Sequence, residues 1–327
     1  MTKKNFITAV LLTILLLVAA NAAIHVVSNH SPARRQVSVV QQSSGANCIV
    51  AGNSLLYSGF DPEVYAQAAE SMGVSVRSVN AAIGATYPVE HLLLLRLALR
   101  TNPHPSVVIY GFFDFQLTDP PVVQSDELMG NRNVGMFLEP DVAERYYVMD
   151  VATALKFKLL HDLPMYVERG NPYGRIELLR RRLRRIGLGA SIGDASQNHD
   201  FAALESANPE VFVQHSREAI DQNEPLNAPI REIIRESLGS GARVVFVEMP
   251  LPPTHVQEFY DLPAWHTYEA YVRGQVTAQG AEWIDASRWL PDASDFADRL
   301  HMNENGAEEF SEKLAQAIYG SPETPMR

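Results

Sequence analysis

Residue types that can carry out nucleophilic catalysis occur at two widely separated places in this sequence. Residues 52–54 read Gly-Asn-Ser after a short apolar run, and residues 298–301 read Asp-Arg-Leu-His before the last amphipathic segment. A serine hydroxyl is a weak nucleophile at neutral pH and needs an adjacent base. Histidine can be that base when a carboxylate on its other ring nitrogen holds the required tautomer. We therefore hypothesise that Ser54, His301 and Asp298 form a catalytic triad.

Both places lie where an open α/β sheet binds its ligands. The apolar run 48–51 predicts a buried strand that ends at Gly52, so Ser54 comes just beyond its carboxyl end. Ligands of open parallel sheets bind beyond the carboxyl ends of the strands. Asp298 and His301 fall on one face of a turn, where a carboxylate can reach the imidazole. Each motif alone is weak, but their joint placement favours a single site.

The elements that must position these residues follow from the alternation of apolar runs and amphipathic segments. Strands are predicted at 48–51, 74–79, 106–110, 242–248 and 281–284, and helices at about 61–72, 88–100 and 307–318. Short buried strands separated by helices predict a three-layer α/β/α fold with a doubly wound parallel sheet. The span between the third and fourth strands exceeds an ordinary crossover, so we expect a large helical insertion at about 115–235.

The N-terminal segment, residues 1–28, predicts export from the cytoplasm. Two lysines precede an apolar run that starts at Phe6, and such charges stay inside while the run enters the bilayer. The segment is a signal peptide cleaved near the Ala-Asn-Ala at 20–22, or an anchor at 6–27 that is long enough to span ~30 Å of hydrocarbon. We favour the anchor because Ile24, Val26 and Val27 continue the apolar character past the cleavage site. The body then faces the periplasm or another extracytoplasmic space, or is secreted after cleavage.

Composition limits what the body can do. The chain has 327 residues, 46% of them hydrophobic, which is enough for a sizeable core. Its formal charge, 27 − 38 = −11, argues against general binding to nucleic-acid phosphates. The single cysteine, Cys48, excludes an intrachain disulfide framework and Cys-based zinc sites. We divide the chain into a polar linker at 29–45, one α/β domain at 46–320 that includes the insertion, and a tail at 321–327.

An arginine-rich stretch lies within the expected insertion. Residues 175–185 read RIELLRRRLRR, with leucines between the arginines. A solvated helix face is the simpler interpretation of such a run. The pattern is also typical of a helix that lies on anionic headgroups or binds an anionic polymer. Both interpretations stay open.

Four short blocks of the sequence resemble the SGNH (GDSL-like) hydrolase superfamily. Residues 52–54 resemble the nucleophile block, and Asn-Ala-Ala-Ile-Gly at 80–84 resembles the second block. Tyr-Gly-Phe-Phe-Asp at 110–114 lies where the third block, Gly-x-Asn-Asp, belongs, and 298–301 resembles the fifth block. The resemblance covers about 46–115 and 240–318, and it implies the flavodoxin-like fold of this superfamily.

The resemblance also implies a role for each matched residue. Ser54 would be the nucleophile, His301 the base, and Asp298 the group that orients the base. The backbone N–H groups of Ser54 and Gly84 would form the oxyanion hole, with the Asn53 side chain as a third donor. The implied mechanism needs no metal and no organic cofactor.

One departure from the family pattern affects the expected rate. Phe113 stands where the family has its oxyanion-hole asparagine. The loss of one oxyanion donor typically costs ~10²–10³ in rate, so we expect slow ester hydrolysis with nucleophile activation intact. Phe113, Asp114 and His255 follow strand ends, and we expect them to line the substrate pocket.

The substrate is indicated by resemblance alone. Residues 59–63, Gly-Phe-Asp-Pro-Glu, are similar to membrane-tethered members that act on envelope glycans. The expected substrate is therefore an O-acyl ester, in particular an O-acetyl ester, of an envelope or exported polysaccharide. Hydrolysis and transfer to a second sugar share one acyl-enzyme, and the sequence does not separate them. Two alternatives stay open: a non-catalytic glycan- or partner-binding envelope protein, and a membrane-facing lipid esterase.

Overall fold

A computed structural model describes residues 3–28, 32–84, 86–119, 140–147, 150–160, 163 and 208–320. The chain divides into two compact units. The first comprises Met1–Gln36 and Val122–Asp194, and the second comprises Val37–Pro121 and Ala195–Arg327. The arginine-rich stretch at 175–185 and the tail at 321–327 lie outside the described residues.

The described secondary structure alternates strands with helices in the second unit. The strands are β1 (Cys48–Gly52), β2 (Ser78–Asn80), β3 (Val107–Phe112), β4 (Arg243–Glu248) and β5 (Glu282–Asp285). The helices are α1 (Lys3–Ser28), α2 (Pro32–Gln42), α3 (Ser54–Gly59), α4 (Pro62–Ser71), α5 (Pro88–Thr101), α6 (Pro140–Tyr146), α7 (Val151–Leu160), α8 (Pro209–Asp221), α9 (Ala228–Gly239), α10 (Pro253–His255), α11 (Pro263–Ala278) and α12 (Glu304–Tyr319). A π-helical turn spans Val256–Tyr260, and a 3₁₀ turn spans Ala293–Asp295.

The strands form one parallel sheet in the order β2-β1-β3-β4-β5. β1 and β3 are buried along their whole length, as expected for the continuous apolar runs of a sheet covered on both faces. Helices α4 and α12 pack together, and α5 and α9 pack together against β1 and β4. The predicted α/β fold with a parallel sheet is therefore confirmed.

Two segments differ from the sequence-based expectation. β2 spans 78–80 rather than 74–79, because residues 74–77 alternate in polarity but make no ladder with β1. Residues 32–42, expected to belong to a polar linker, form the helix α2. Its buried Val40 gives this helix an apolar contact despite its polar composition.

Part of the expected insertion belongs to the unit that holds the sheet. Helix α9 packs on α5 and β4, and α8 packs on α11. The second unit resumes at Ala195, so the segment assigned to the first unit, 122–194, is shorter than the expected insertion at 115–235. Within that segment the structure describes the helices α6 and α7.

Helix α1 has the length and composition of a membrane-spanning helix. The stretch Asn5–Val26 has 22 residues and buries none of its apolar window within the protein. An N-terminal signal sequence has the same properties. The helix is therefore consistent with either a signal anchor or a signal peptide.

Candidate active site

A close approach of two strands fixes the position of Ser54. β1 ends at Gly52, whose φ of +153° and contact with Gly111 leave no space for a side chain: an added Cβ would lie 2.5 Å from the Gly111 carbonyl oxygen. The next residue, Asn53, caps α3 by accepting a hydrogen bond from the Leu55 N–H at 2.9 Å. Ser54 is thus the first residue of a helix, with its side chain half-buried.

The segment that carries Asp298 and His301 packs against the same helix. Met302, directly after His301, lies so close to Gly59 of α3 that an added Cβ would clash with the Met302 side chain. A backbone hydrogen bond from Ala297 to the His301 carbonyl, 2.8 Å long, closes the turn. The glycine at position 59 therefore allows the histidine-bearing turn to reach the residue that begins α3.

The structure brings the three hypothesised triad residues together. The Ser54 Oγ lies 3.0 Å from the His301 Nε2, across 247 positions of sequence. The His301 Nδ1 lies 3.0 Å from the Asp298 Oδ2 and 3.1 Å from its Oδ1. The His301 ring thus lies between a hydroxyl at Nε2 and a carboxylate at Nδ1.

The Asp298 carboxylate is held by its own turn. Its Oδ1 accepts hydrogen bonds from the backbone N–H groups of Leu300 at 2.8 Å and His301 at 2.7 Å. Partial burial acts to raise the pKa of Asp298, but the hydrogen bonds from these N–H groups and from the His301 ring outweigh it and lower the pKa below its usual value. The acid is therefore ionised at neutral pH and can orient the imidazole.

Gly84 lies beside the serine. A Cβ added to Gly84 would come within 3.4 Å of the Ser54 Cβ. The loop after β2 is held there by a hydrogen bond of 3.1 Å from the Ile83 N–H to the Gly52 carbonyl. In the described part of the chain, neither the Ser54 N–H nor the Gly84 N–H donates to an acceptor. Both are backbone donors that an oxyanion beside Ser54 can use.

The Asn53 side chain is buried between two partners. Its carbonyl caps α3, and its amide donates a hydrogen bond of 2.8 Å to the Gln116 Oε1. Gln116 escaped the sequence analysis because it lies 63 positions away in no motif. The second hydrogen of the Asn53 amide has no acceptor among the described residues.

The residues expected to line the pocket include a second carboxylate–imidazole pair. The His255 Nε2 lies 3.1 Å from the Asp114 Oδ1, and the His255 ring packs against Phe259 and Tyr260. Asp114 adopts a φ of +47°, and its N–H donates to the Tyr260 hydroxyl at 2.9 Å. Phe113 precedes it with a half-buried side chain.

A further group of acidic side chains lies at the ends of β4 and β5. Within the described ranges, Glu248, Glu269 and Asp285 form the group with spacing suited to a metal ion. In the sequence analysis, the single Cys48 excluded Cys-based zinc sites, and the family resemblance implied a mechanism without a metal. These carboxylates escaped the sequence analysis because they lie on three different elements.

No family model matches the sequence, and neither does any curated protein. Solved structures with a similar fold include a lipase/acylhydrolase from Enterococcus faecalis that is 12% identical. The match covers 85% of this chain and 98% of the lipase/acylhydrolase, with a TM-score of 0.39. TesA is 11% identical, with coverages of 84% and 98% and a TM-score of 0.40. A GDSL-like lipase from Bacteroides thetaiotaomicron is 9% identical, with coverages of 90% and 98% and a TM-score of 0.36. At these identities the likeness is one of fold.

Proposed function

We propose that this protein is an extracytoplasmic serine hydrolase or acyltransferase of the SGNH type that acts on ester bonds. The observation that carries the proposal is the hydrogen-bonded series Ser54–His301–Asp298, with 3.0 Å between the Ser54 Oγ and the His301 Nε2. An imidazole between a hydroxyl and a carboxylate is the arrangement that activates a serine nucleophile.

The first half-reaction transfers the acyl group to the enzyme. The Ser54 Oγ attacks the acyl carbonyl carbon while the His301 Nε2 takes the hydroxyl proton. Asp298 stabilises the imidazolium that forms. The tetrahedral oxyanion accepts hydrogen bonds from the N–H groups of Ser54 and Gly84, with the Asn53 amide as a third donor. The intermediate then expels the alcohol, which receives the proton from His301, and the acyl group remains on Ser54.

The second half-reaction releases the acyl group to an acceptor. A water molecule or a sugar hydroxyl loses its proton to His301 and attacks the acyl carbonyl carbon. Collapse of this second intermediate breaks the bond to the Ser54 Oγ, which recovers its proton from His301. Water yields hydrolysis, and a sugar hydroxyl yields transfer.

We propose O-acyl, in particular O-acetyl, groups of an envelope or exported polysaccharide as the substrate. The resemblance of residues 59–63 to membrane-tethered envelope-glycan members supports this class. The apolar helix α1 supports a location at the inner membrane, with the catalytic unit outside the cytoplasm. Phe113, Asp114 and His255 are the proposed pocket wall.

Replacement of the nucleophile tests this function. In the full-length chain in nonionic detergent, we expect Ser54→Ala to lower turnover of p-nitrophenyl acetate by ~10³-fold or more. Ser58→Ala is the matched control, because Ser58 lies in the same helix with an exposed side chain. Equal turnover in the two variants, both with the wild-type circular dichroism spectrum, would refute Ser54 as the nucleophile.

Acyl chain length separates this proposal from a lipid esterase. An enzyme for O-acetyl glycans turns over p-nitrophenyl acetate faster than p-nitrophenyl palmitate. The reverse preference would indicate a membrane-facing lipid esterase.

A second candidate function is glycan or partner binding without turnover. The observation in its favour is Phe113, which supplies no hydrogen-bond donor where an asparagine is expected. This candidate predicts no release of acetate from an O-acetylated polysaccharide by the wild type and equal polysaccharide binding by the wild type and Ser54→Ala. Acetate release that depends on Ser54 would exclude it.

A further inference from the structure

Three carboxylates that the proposed chemistry does not use converge at the ends of neighbouring strands. Glu248 ends β4, Asp285 ends β5, and the two are register partners. Glu269 belongs to α11. One carboxylate oxygen from each residue lies within 4.8 Å of the other two. We call these three residues the carboxylate cluster.

Glu248 is buried in this cluster without a hydrogen-bond donor. It is 1% exposed, and no N–H or O–H group of the described residues donates to either of its carboxylate oxygens. Burial, followed by the charges of Asp285, Glu269 and Asp114, raises its pKa well above the usual value. A buried carboxylate in this situation needs a proton or a cation to offset the loss of solvation.

In its ionised form the cluster carries more negative charge than its arginine partner offsets. Arg273 makes the ion pair with the cluster in the described part of the chain, 3.2 Å from Glu269. Arg288 and His266 also act on Glu269 electrostatically, but the Arg288 guanidinium is paired with Asp261 at 2.8 Å. With all three carboxylates ionised, the cluster and the paired Arg273 carry 3 − 1 = 2 net negative charges, which a divalent cation matches.

The donor set suits calcium better than magnesium. Ca²⁺ takes several carboxylate oxygens of a protein at about 2.3–2.6 Å in flexible geometry, so two of its ligand atoms can lie up to about 5 Å apart. The oxygens of the cluster lie within 4.8 Å of one another, which allows all three carboxylates to bind one such ion. Mg²⁺ keeps several waters and usually takes one or two carboxylates.

One member of the cluster is held in place as an acceptor. The Asp285 Oδ1 receives the N–H of Ser287 at 2.9 Å and the Ser287 hydroxyl at 2.6 Å. Such outer hydrogen bonds orient the carboxylates that bind metal ions, and they leave the Asp285 Oδ2 available.

We propose that Glu248, Glu269 and Asp285 bind a calcium ion. The ion joins the carboxyl ends of β4 and β5 to α11. The segment that starts at Ala286, whose N–H donates to the Glu248 carbonyl at 3.0 Å, leads on to the turn of Asp298 and His301. The ion therefore stabilises the sheet edge from which this turn is reached, and it takes no part in the acyl-transfer steps.

Calcium binding to the full-length protein in nonionic detergent tests the proposal. After removal of divalent ions with EDTA and dialysis, titration with CaCl₂ in a calorimeter is expected to give one ion per chain. CaCl₂ at about 100 times the dissociation constant is expected to raise the midpoint of thermal unfolding by ~5 °C. Absence of both a binding heat and a shift in midpoint would overturn the proposal.

Two variants locate the ion. Glu248→Gln and Asp285→Asn keep the side-chain shapes and remove one charge each, so we expect calcium affinity to fall by ~10-fold or more in each. Glu308→Gln, at an exposed position on α12, is the matched control and keeps the calcium response of the wild type. Equal calcium responses in all three variants would overturn the assignment. The use of two cluster variants, each checked by circular dichroism, guards against misfolding of one.

Discussion

Two carboxylate–imidazole pairs lie beyond the carboxyl ends of strands in the same sheet. The triad pair, Asp298 and His301, is joined at 3.0 Å, and the buried pair, Asp114 and His255, at 3.1 Å. The side chains of the triad pair are 41% and 18% exposed, whereas those of the buried pair are 16% and 9% exposed. Hydrogen bonds of similar length therefore occur in two different environments.

The two pairs differ in what meets the other ring nitrogen. In the triad pair that nitrogen faces the Ser54 hydroxyl at 3.0 Å. The His255 ring of the buried pair instead packs between aromatic rings, and no hydroxyl or thiol of the described residues hydrogen-bonds to it. A carboxylate that orients an imidazole does not suffice for catalysis, because the imidazole must also reach a group from which it can take a proton.

The pairs also differ in how the fold assembles them. The triad pair is three positions apart and forms within one turn. The members of the buried pair are 141 positions apart, so they meet only once β3 and β4 lie side by side. We infer that the triad pair serves the chemistry, and that the buried pair supports the pocket wall.

Separate replacement of each histidine by glutamine tests this difference and has the largest expected effect. We expect His301→Gln to lower kcat/KM for p-nitrophenyl acetate by ~10³-fold or more, because it removes the base. His255→Gln is the matched variant, and we expect its kcat to change by less than ~10-fold with a rise in KM, as for a group that binds ground and transition states equally. Equal losses of kcat in the two variants would contradict the distinction.

Replacement of the two carboxylates is expected to give effects of similar size. Asp298→Asn leaves the turn in place but supplies an amide where the imidazole needs an anion, and a loss of ~10³–10⁴-fold in kcat is expected. Asp114→Asn is the matched variant, because asparagine tolerates the φ of +47° at this position. Its kcat is expected to stay within ~10-fold of the wild-type value.

The pH dependence of the Asp298→Asn loss follows from the lowered pKa of Asp298. A carboxyl with a lowered pKa contributes its interactions above its unfolded value and loses them only as pH falls through the folded one. For folding stability, Asp298→Asn is therefore expected to cost at least as much at about pH 6 as at about pH 8 in urea unfolding. A smaller cost at pH 6 would mean that Asp298 takes up a proton in this range.

Introduction of the asparagine that the family pattern has at position 113 is expected to give a smaller effect of opposite sign. We expect Phe113→Asn to raise kcat by ~10-fold, because one such donor contributes a factor of this order or more. Phe113→Leu, which adds no donor, is the control and is expected to leave kcat unchanged. A gain in both variants would show that pocket size, and not hydrogen bonding, limits the rate.

The smallest expected effect is on folding stability and concerns a third carboxylate–imidazole pair, which lies at the surface. His215 and Asp119 lie 2.9 Å apart, and their hydrogen bond raises the pKa of His215. A raised histidine pKa contributes stability that is complete below the unfolded value and is lost as pH rises through the folded one. His215→Gln is therefore expected to be more destabilising at about pH 6 than at about pH 9, by less than ~1 kcal/mol after screening by solvent. His104→Gln, at an exposed histidine, is expected to show no such difference in urea unfolding.

The sequence predicted those parts of the fold that depend on local pattern. β1 and β3 are continuous apolar runs, β4 is apolar between Arg243 and Glu248, and each strand lies within two residues of its predicted bounds. The start of β2 was predicted too early, because residues 74–77 alternate in polarity as a strand does but do not pair with β1. Helix α2 was missed because its serine and glutamines are typical of a linker, while its burial depends on tertiary contact.

The candidate site likewise combines residues that local motifs predicted with contacts that no local motif predicted. Ser54, Asp298 and His301 lie in short motifs, so their hypothesised roles needed only the placement of two strand ends. The pairing of Asp114 with His255, the contact of Gln116 with Asn53, and the carboxylate cluster all join distant segments. No local signal in the sequence specifies such contacts.

Covalent labelling of the full-length protein with a fluorophosphonate tests the central claim most directly. Peptide mass mapping is expected to find the adduct on Ser54 in the wild type and in His255→Gln, and to find at least ~10³-fold slower labelling in His301→Gln. An adduct that forms equally fast without His301, or a folded wild type with no adduct on Ser54, would contradict the claim that His301 activates Ser54.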